Sequence, residues 1–270
     1  DAVSKYFDES EFAVVLGGPE VGAEFTKLPF DHLLYTGSGR IAKKVLANTA
    51  ENLVPTTLEL GGKSPTIIGK DADMELAAKR IMFVKTMNAG QICLSPDYIF
   101  LPRGEEESFL TEASKAFAEF YPDDNKNAYT SMVNETHYER MQNYISDAIE
   151  KGAKVHSLGN FDSAEKNTIT TKILMDVNDG MKVMQDEIFG PLLPVMLYDD
   201  ISEVINYVNA HDHPLGLYYF GKSQSEQQNV IKNTRSGGVT INDAMFHIMQ
   251  SELPFGELVN LVMAITTVEK

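Results

Sequence analysis

Cysteine is almost missing from this chain: 270 residues hold one, Cys93. A lone thiol excludes internal disulfides and a thiolate metal cage. It fits a reducing compartment, so a cytoplasmic setting is expected. Positive charge is also scarce. There are 23 basic residues against 39 acidic ones, for a net charge of −16. That balance disfavours nucleic acid and anionic membranes as partners. No apolar run is long enough to span a bilayer. The acidic opening stretch lacks the apolar core of a signal peptide. Internal repeats and low-complexity linkers are missing too. Of six histidines, His211 and His213 are the closest pair. No further ligand joins them at zinc spacing, so no metal site is expected. The first residue is Asp rather than Met, which points to a fragment or a processed piece.

What is present is ordinary globular material, 43% hydrophobic, arranged as α/β. Residues 12–16 form a continuous apolar run, as in a strand buried on both faces. Residues 20–28 read as a helix, 32–35 as a second buried strand and 40–52 as a helix. Glycine turns at Gly17-Gly18 and Thr36-Gly37-Ser38-Gly39 punctuate them. Strand, glycine turn, helix, repeated, is the rhythm of a doubly wound parallel sheet, which binds ligands at strand carboxyl ends. A third strand at 56–60 runs out through Glu59 and Leu60 into Gly61-Gly62. By itself Glu59 is a strand-end carboxylate or a solvated edge residue. Further strands are expected at 66–68, 98–101, 154–157, 172–175, 195–198, 217–220 and 237–242. Helices are expected at 73–87, 105–121, 136–152, 202–210 (capped by Ser202) and 224–233.

Cys93 falls where the helix over 73–87 has ended and the chain turns. Pro96 stops any helix from continuing. A lone cysteine reads first as a small buried hydrophobe. A thiol beside the backbone donors of a turn ionises more easily than one in a core. The letters around it decide between these. Asn88-Ala89-Gly90-Gln91-Ile92-Cys93-Leu94-Ser95-Pro96-Asp97-Tyr98 resembles the nucleophile loop of the aldehyde dehydrogenase family. Glu59-Leu60-Gly61-Gly62-Lys63-Ser64-Pro65 resembles a second signature of that family, and Glu187-Ile188-Phe189-Gly190-Pro191 a third. Weaker echoes occur at 214–220, 237–243 and 253–256. The stretch Leu28-Pro29-Phe30-Asp31-His32-Leu33-Leu34-Tyr35-Thr36-Gly37-Ser38 is most similar to the coniferyl aldehyde dehydrogenase branch. The resemblance covers residues 1–256 nearly continuously.

The resemblance implies a parallel-sheet, three-layer α/β catalytic domain at 62–250. Residues 1–61 would be the C-terminal part of an incomplete Rossmann-type NAD-binding domain, and 251–270 a return segment and tail. It implies Cys93 as nucleophile and Glu59 as the base that activates water. It implies NAD or NADP against Gly37, Ser38, Leu60, Glu187 and Phe189, and Phe255 in the substrate pocket. The substrate would be a small-molecule aldehyde. A homo-oligomer, or association through exposed apolar surface, is the expected state. His247 is either a pocket-wall or a surface residue. In relatives an asparagine from an earlier segment completes the oxyanion site, so the chain alone is expected not to oxidise aldehydes. An inactive interaction piece, or ester and thioester hydrolysis without NAD, are the rival readings. After Phe255-Gly256 the sequence departs from the family's glycine-rich run. A one-nucleotide slip upstream lets codons for 257–269 spell that run, so the tail is expected to be a frameshift product.

Overall fold

The computed structural model describes residues 2–122 and 128–256. The tail at 257–270, with its frameshift reading, lies outside the described residues. The chain divides into two compact units, one ending at Leu60 and the other beginning at Gly61.

In the first unit, β1 (Leu33–Thr36) and β2 (Thr56–Glu59) pair in parallel. The helices are α1 (Pro19–Phe25) and α2 (Gly39–Thr49). Its core is small: Leu33, Val45 and Val54, flanked by Phe30, Tyr35 and Ile41. Two expectations fail here. Residues 12–16 form no strand, and Leu16 is 87% exposed. β1 is not buried on both faces, since Leu34 is 66% exposed. The cause is shared. Among the described residues this sheet has only two strands, so the apolar run finds no ladder to join and no layer to cover it.

The second unit carries seven strands in the order β5-β6-β7-β4-β3-β8-β9. They are β3 (Pro65–Ile68), β4 (Tyr98–Pro102), β5 (Lys154–Ser157), β6 (Lys172–Met175), β7 (Leu192–Tyr198), β8 (Gly216–Phe220) and β9 (Gly238–Ile241). Only the β5–β6 pair is antiparallel. Every residue of β3, β4 and β8 is buried. Alternation divides their side chains between two cores. Ile67, Phe100, Leu217 and Tyr219 join α5 (Glu135–Glu150), α7 (Ile201–Asn209) and α8 (Gln224–Asn233) on one face. Ile68, Ile99, Leu101, Tyr218 and Phe220 join α3 (Met74–Thr86) and α4 (Glu106–Phe120) on the other. The result is helix, sheet, helix: the expected three-layer α/β architecture. Each such apolar side chain, fully buried, stabilises by about 1.5–3 kcal/mol.

The caps follow local chemistry. Asp73 caps α3 by accepting from Leu76 N–H at 3.1 Å. The cap of α7 is Asp200, not Ser202: its carboxylate accepts the Ser202 N–H at 2.8 Å. A short helix, α6 (Lys182–Gln185), was not legible in the sequence.

Because β3, β4, β7 and β8 run in parallel, the loops that enter them emerge on one side of the sheet. Residues 61–64, 87–97, 186–191 and 214–215 therefore converge at the strands' amino ends. Three of the four carry the family-like motifs.

Candidate active site

The nucleophile loop is built by its own side chains. After α3, Asn88 and Ala89 turn left-handed at φ 51° and 52°, and Gly90 follows at 71°. Such a run needs local bonds to hold it. The Asn88 amide donates to Gln91 O at 3.0 Å. The Gln91 amide donates to Asn88 O at 3.0 Å and Ser131 O at 3.1 Å, and its oxygen accepts from Val133 N–H at 2.9 Å. The asparagine and glutamine of the motif are thus loop clamps. Ser95 N–H then donates to Ile92 O at 2.9 Å, which sets half-buried Cys93 inside a tight turn. The Tyr218 hydroxyl donates to Leu94 O at 2.6 Å. Burial first, and the neighbouring Cys93 second, push that hydroxyl's pKa up.

The turn with Glu187 packs directly on this loop. A Cβ at Gly90 would overlap the Gly190 carbonyl, and one at Gly61 would overlap the Glu187 carboxylate. The two glycines are there for close approach. Glu187 accepts from Gly62 N–H. Burial and the nearby Asp97 charge raise its pKa to about 7, against the opposing pull of that bond, Arg140 and Lys63. Phe189, at φ 44°, is 37% exposed.

This shift has a stability consequence. Between an unfolded value near 4.5 and a folded value near 7, the folded state binds the extra proton. Stability from Glu187 is therefore complete below pH 4.5 and lost as pH rises through 7. Glu187→Gln is expected to raise the urea stability at pH 8 by about 2–3 kcal/mol and to leave it unchanged at pH 4. Urea melts at the two pH values check this.

At the carboxyl end of the first unit's sheet, Gly37 N–H donates to Glu59 O at 3.0 Å. Ser38 follows as the N-cap of α2 and hydrogen-bonds the Tyr35 hydroxyl. Burial raises the Glu59 pKa. Gly37, Ser38, Glu59 and Leu60 thus share one end of the first unit. Cys93, Glu187 and Phe189 share one side of the second, where Phe255 is half-buried against the α3–α4 core. The pairing of Glu59 with Cys93 spans the two units and rests on the resemblance.

Five participants went unassigned in the sequence: Lys63, Lys85, Asp97, Arg140 and Tyr218. Lys63 and Asp97 stand inside the motifs, where their charge was the available signal. Lys85 is fully buried, donates to Pro96 O at 2.9 Å, and has its pKa lowered by burial to about 8. Arg140 donates to Glu187 O at 3.1 Å. His247 is half-buried, bonded to Thr240 at 2.8 Å, and burial lowers its pKa. Among the described residues no cluster of His, Cys, Asp and Glu could hold a metal ion, and no helix is long and apolar enough to cross a membrane.

Comparison with known proteins agrees with the motifs. The model of the aldehyde dehydrogenase family matches residues 4–257. A probable coniferyl aldehyde dehydrogenase of Caulobacter vibrioides is 49% identical over 258 residues, covering 94% of this chain and 53% of that protein. The coniferyl aldehyde dehydrogenase of Pseudomonas sp. strain HR199 is 45% identical over 95% of this chain and 54% of its own length. The substrate-bound structure of Staphylococcus aureus AldH superposes with a TM-score of 0.89 at 35% identity, covering 95% of this chain and 56% of that one. The Mycobacterium tuberculosis aldehyde dehydrogenase complexed with NAD+ gives 0.81 at 30% identity, over 90% and 51%. The chain spans about half the length of the relatives it matches, and it belongs to the aldehyde dehydrogenase family.

Proposed function

We propose that this chain carries the nucleophile and nicotinamide-side machinery for NAD(P)-dependent oxidation of an aldehyde to a carboxylic acid. The observation that carries this is the meeting of two motif loops at Gly90 and Gly190, which brings the Cys93 loop and the Glu187–Phe189 turn together. In this reading the Cys93 sulfur attacks the aldehyde carbon. Its backbone turn is the first source of donors for the oxyanion. NAD or NADP, held at Glu187 and Phe189, would supply the hydride acceptor, and a thioester would remain on Cys93. Glu59, with its raised pKa, takes a proton from the water that hydrolyses the thioester.

The residues fit a dinucleotide. Gly61 lets the Glu187 carboxylate lie against the backbone, from where it would accept from ribose hydroxyls. The exposed Phe189 offers a ring face for the nicotinamide. Gly37 and Ser38 open an 11-residue helix whose first N–H groups suit a phosphate. Residues 1–61 then serve the nucleotide and 62–250 the covalent chemistry. A reducing, cytoplasmic setting keeps Cys93 as a thiol. Aromatic aldehydes such as coniferyl aldehyde, after which the relatives are named, are the first substrates to test. In that test the purified chain meets coniferyl aldehyde and NAD+, and the mass of the Cys93 peptide is followed. A covalent adduct confined to Cys93 supports the reading, and an unmodified Cys93 opposes it.

A second reading, an association piece, is favoured by the exposed Phe12, Val14, Val15, Leu16, Leu34 and Leu53. Exposed apolar side chains in such number promote oligomers or partner binding. Light scattering on the purified chain separates a monomer from either.

A further inference from the structure

Asp97 lies four residues after Cys93 and is 3% exposed. Its backbone N–H donates to Ser64 O at 2.9 Å. One carboxylate oxygen accepts from the Lys63 ammonium, and the other accepts the Ile188 N–H at 2.8 Å. Lys63 donates onward to the carbonyls of Val183 and Asp186, both at 2.9 Å. One carboxylate–ammonium pair therefore clasps three segments: 63–64, the nucleophile loop, and 183–188. On the far side, Arg140 holds Glu187 O, and Tyr144 donates to the Asp186 carboxylate at 3.1 Å.

The 186–190 turn belongs to no strand ladder; beyond these bonds it is held by the Gly62 N–H on Glu187 and by the buried Ile188 side chain. It follows a four-residue helix, and Phe189 sits at positive φ. A segment without a ladder of its own is placed by the groups that bond it.

We propose that Asp97 is a positioning residue that sets Glu187 and Phe189 against the loop of Cys93. The proposal rests on reading this turn as the nicotinamide side of the site. Asp97 acts through Lys63 and the Ile188 N–H. A carboxylate is required because both of its neighbours are donors. Asparagine has almost the same shape but offers one oxygen and one NH2, so one neighbour must face a donor and lose its bond. Losing a hydrogen bond to a buried charged group corresponds to about tenfold or more in a local equilibrium.

The test uses the purified full chain and two readouts. Hydrogen exchange reports the Ile188 amide. Iodoacetamide reports Cys93 without ambiguity, because there is no other thiol. In Asp97→Asn the Ile188 amide is expected to exchange about tenfold faster while amides of β3 and β8 keep their rates. The NAD+ concentration that half-protects Cys93 is expected to rise about tenfold, with alkylation in its absence changed by less than about threefold. Lys63→Met, which removes the ammonium that bonds Asp97, is expected to behave like Asp97→Asn.

Wild-type exchange and wild-type protection in Asp97→Asn overturn the proposal and leave the nicotinamide reading intact. Faster exchange throughout β3 and β8 also overturns it, since Asp97 then supports the fold at large. If NAD+ fails to protect the wild type, the nicotinamide reading fails for this chain. Exchange at Ile188 then decides the positioning claim alone: a tenfold rise supports it, and no rise overturns it.

Discussion

Cys93→Ser is expected to abolish acyl transfer to the protein. With p-nitrophenyl acetate, which needs no dinucleotide, the wild type should carry one acetyl group on Cys93, and the variant none. The effect should be on the order of 10⁴ or more in rate, because a serine hydroxyl stays protonated where a thiol supplies thiolate. The turn makes this a clean comparison. Ser95 N–H, Asn88 and Gln91 shape the loop through backbone and amide bonds that the variant keeps. Circular dichroism and urea midpoint should match the wild type. An acetyl group that still appears in the variant would place the nucleophile elsewhere.

Gly90→Ala is the largest expected effect on the fold. At φ 71° an L-residue is strained, and the new methyl would overlap the Gly190 carbonyl and approach its carbon at 2.9 Å. Both obstacles are backbone, so no side chain can swing aside. Left-handed strain costs about 1–2 kcal/mol, and overpacking adds about 1–3 kcal/mol. A total loss of about 2–5 kcal/mol is expected, with Cys93 acylation falling as its loop is pushed from the 187–190 turn. Gly104→Ala is the control. Its φ is 96°, yet a Cβ there meets nothing within 4 Å, so only the strain is expected. Urea melts of both variants check this. Equal losses would show that the contact between the two motif loops carries no energy.

The regular elements were legible where local signals agreed. β5, β6 and α8 begin and end where alternation and turn residues place them. The helix expected from Asp73 begins at Met74, with Asp73 as its cap. The sequence misled where tertiary context decides. Residues 12–16 have the composition of a central strand, but composition cannot supply the neighbours a central strand needs. At α7 the expected cap was Ser202, but the cap is Asp200, two residues earlier. That β5 runs antiparallel is a matter of connection and pairing, which no local pattern encodes.

The site divides in the same way. Cys93, Glu187, Phe189 and the glycines announced themselves as motif letters. The clasp did not, because Asp97 meets Lys63 across 34 residues and Ile188 across 91. Nothing in local spacing marks such a pair. Nor did Lys85 stand out, although it is wholly buried in the last turn of α3. Its ammonium is held by a carbonyl at the foot of the nucleophile loop.

The central claim is that the Cys93 sulfur makes the covalent bond and the Glu59 carboxylate releases it. Intact-mass spectrometry of Glu59→Gln, quenched at intervals after mixing with p-nitrophenyl acetate, tests this most directly. The account predicts that acetyl–Cys93 forms at the wild-type rate and then persists, its hydrolysis slowed by about 10²–10⁴. An acetyl group lost as fast as in the wild type, or one carried on any residue other than Cys93, would contradict it.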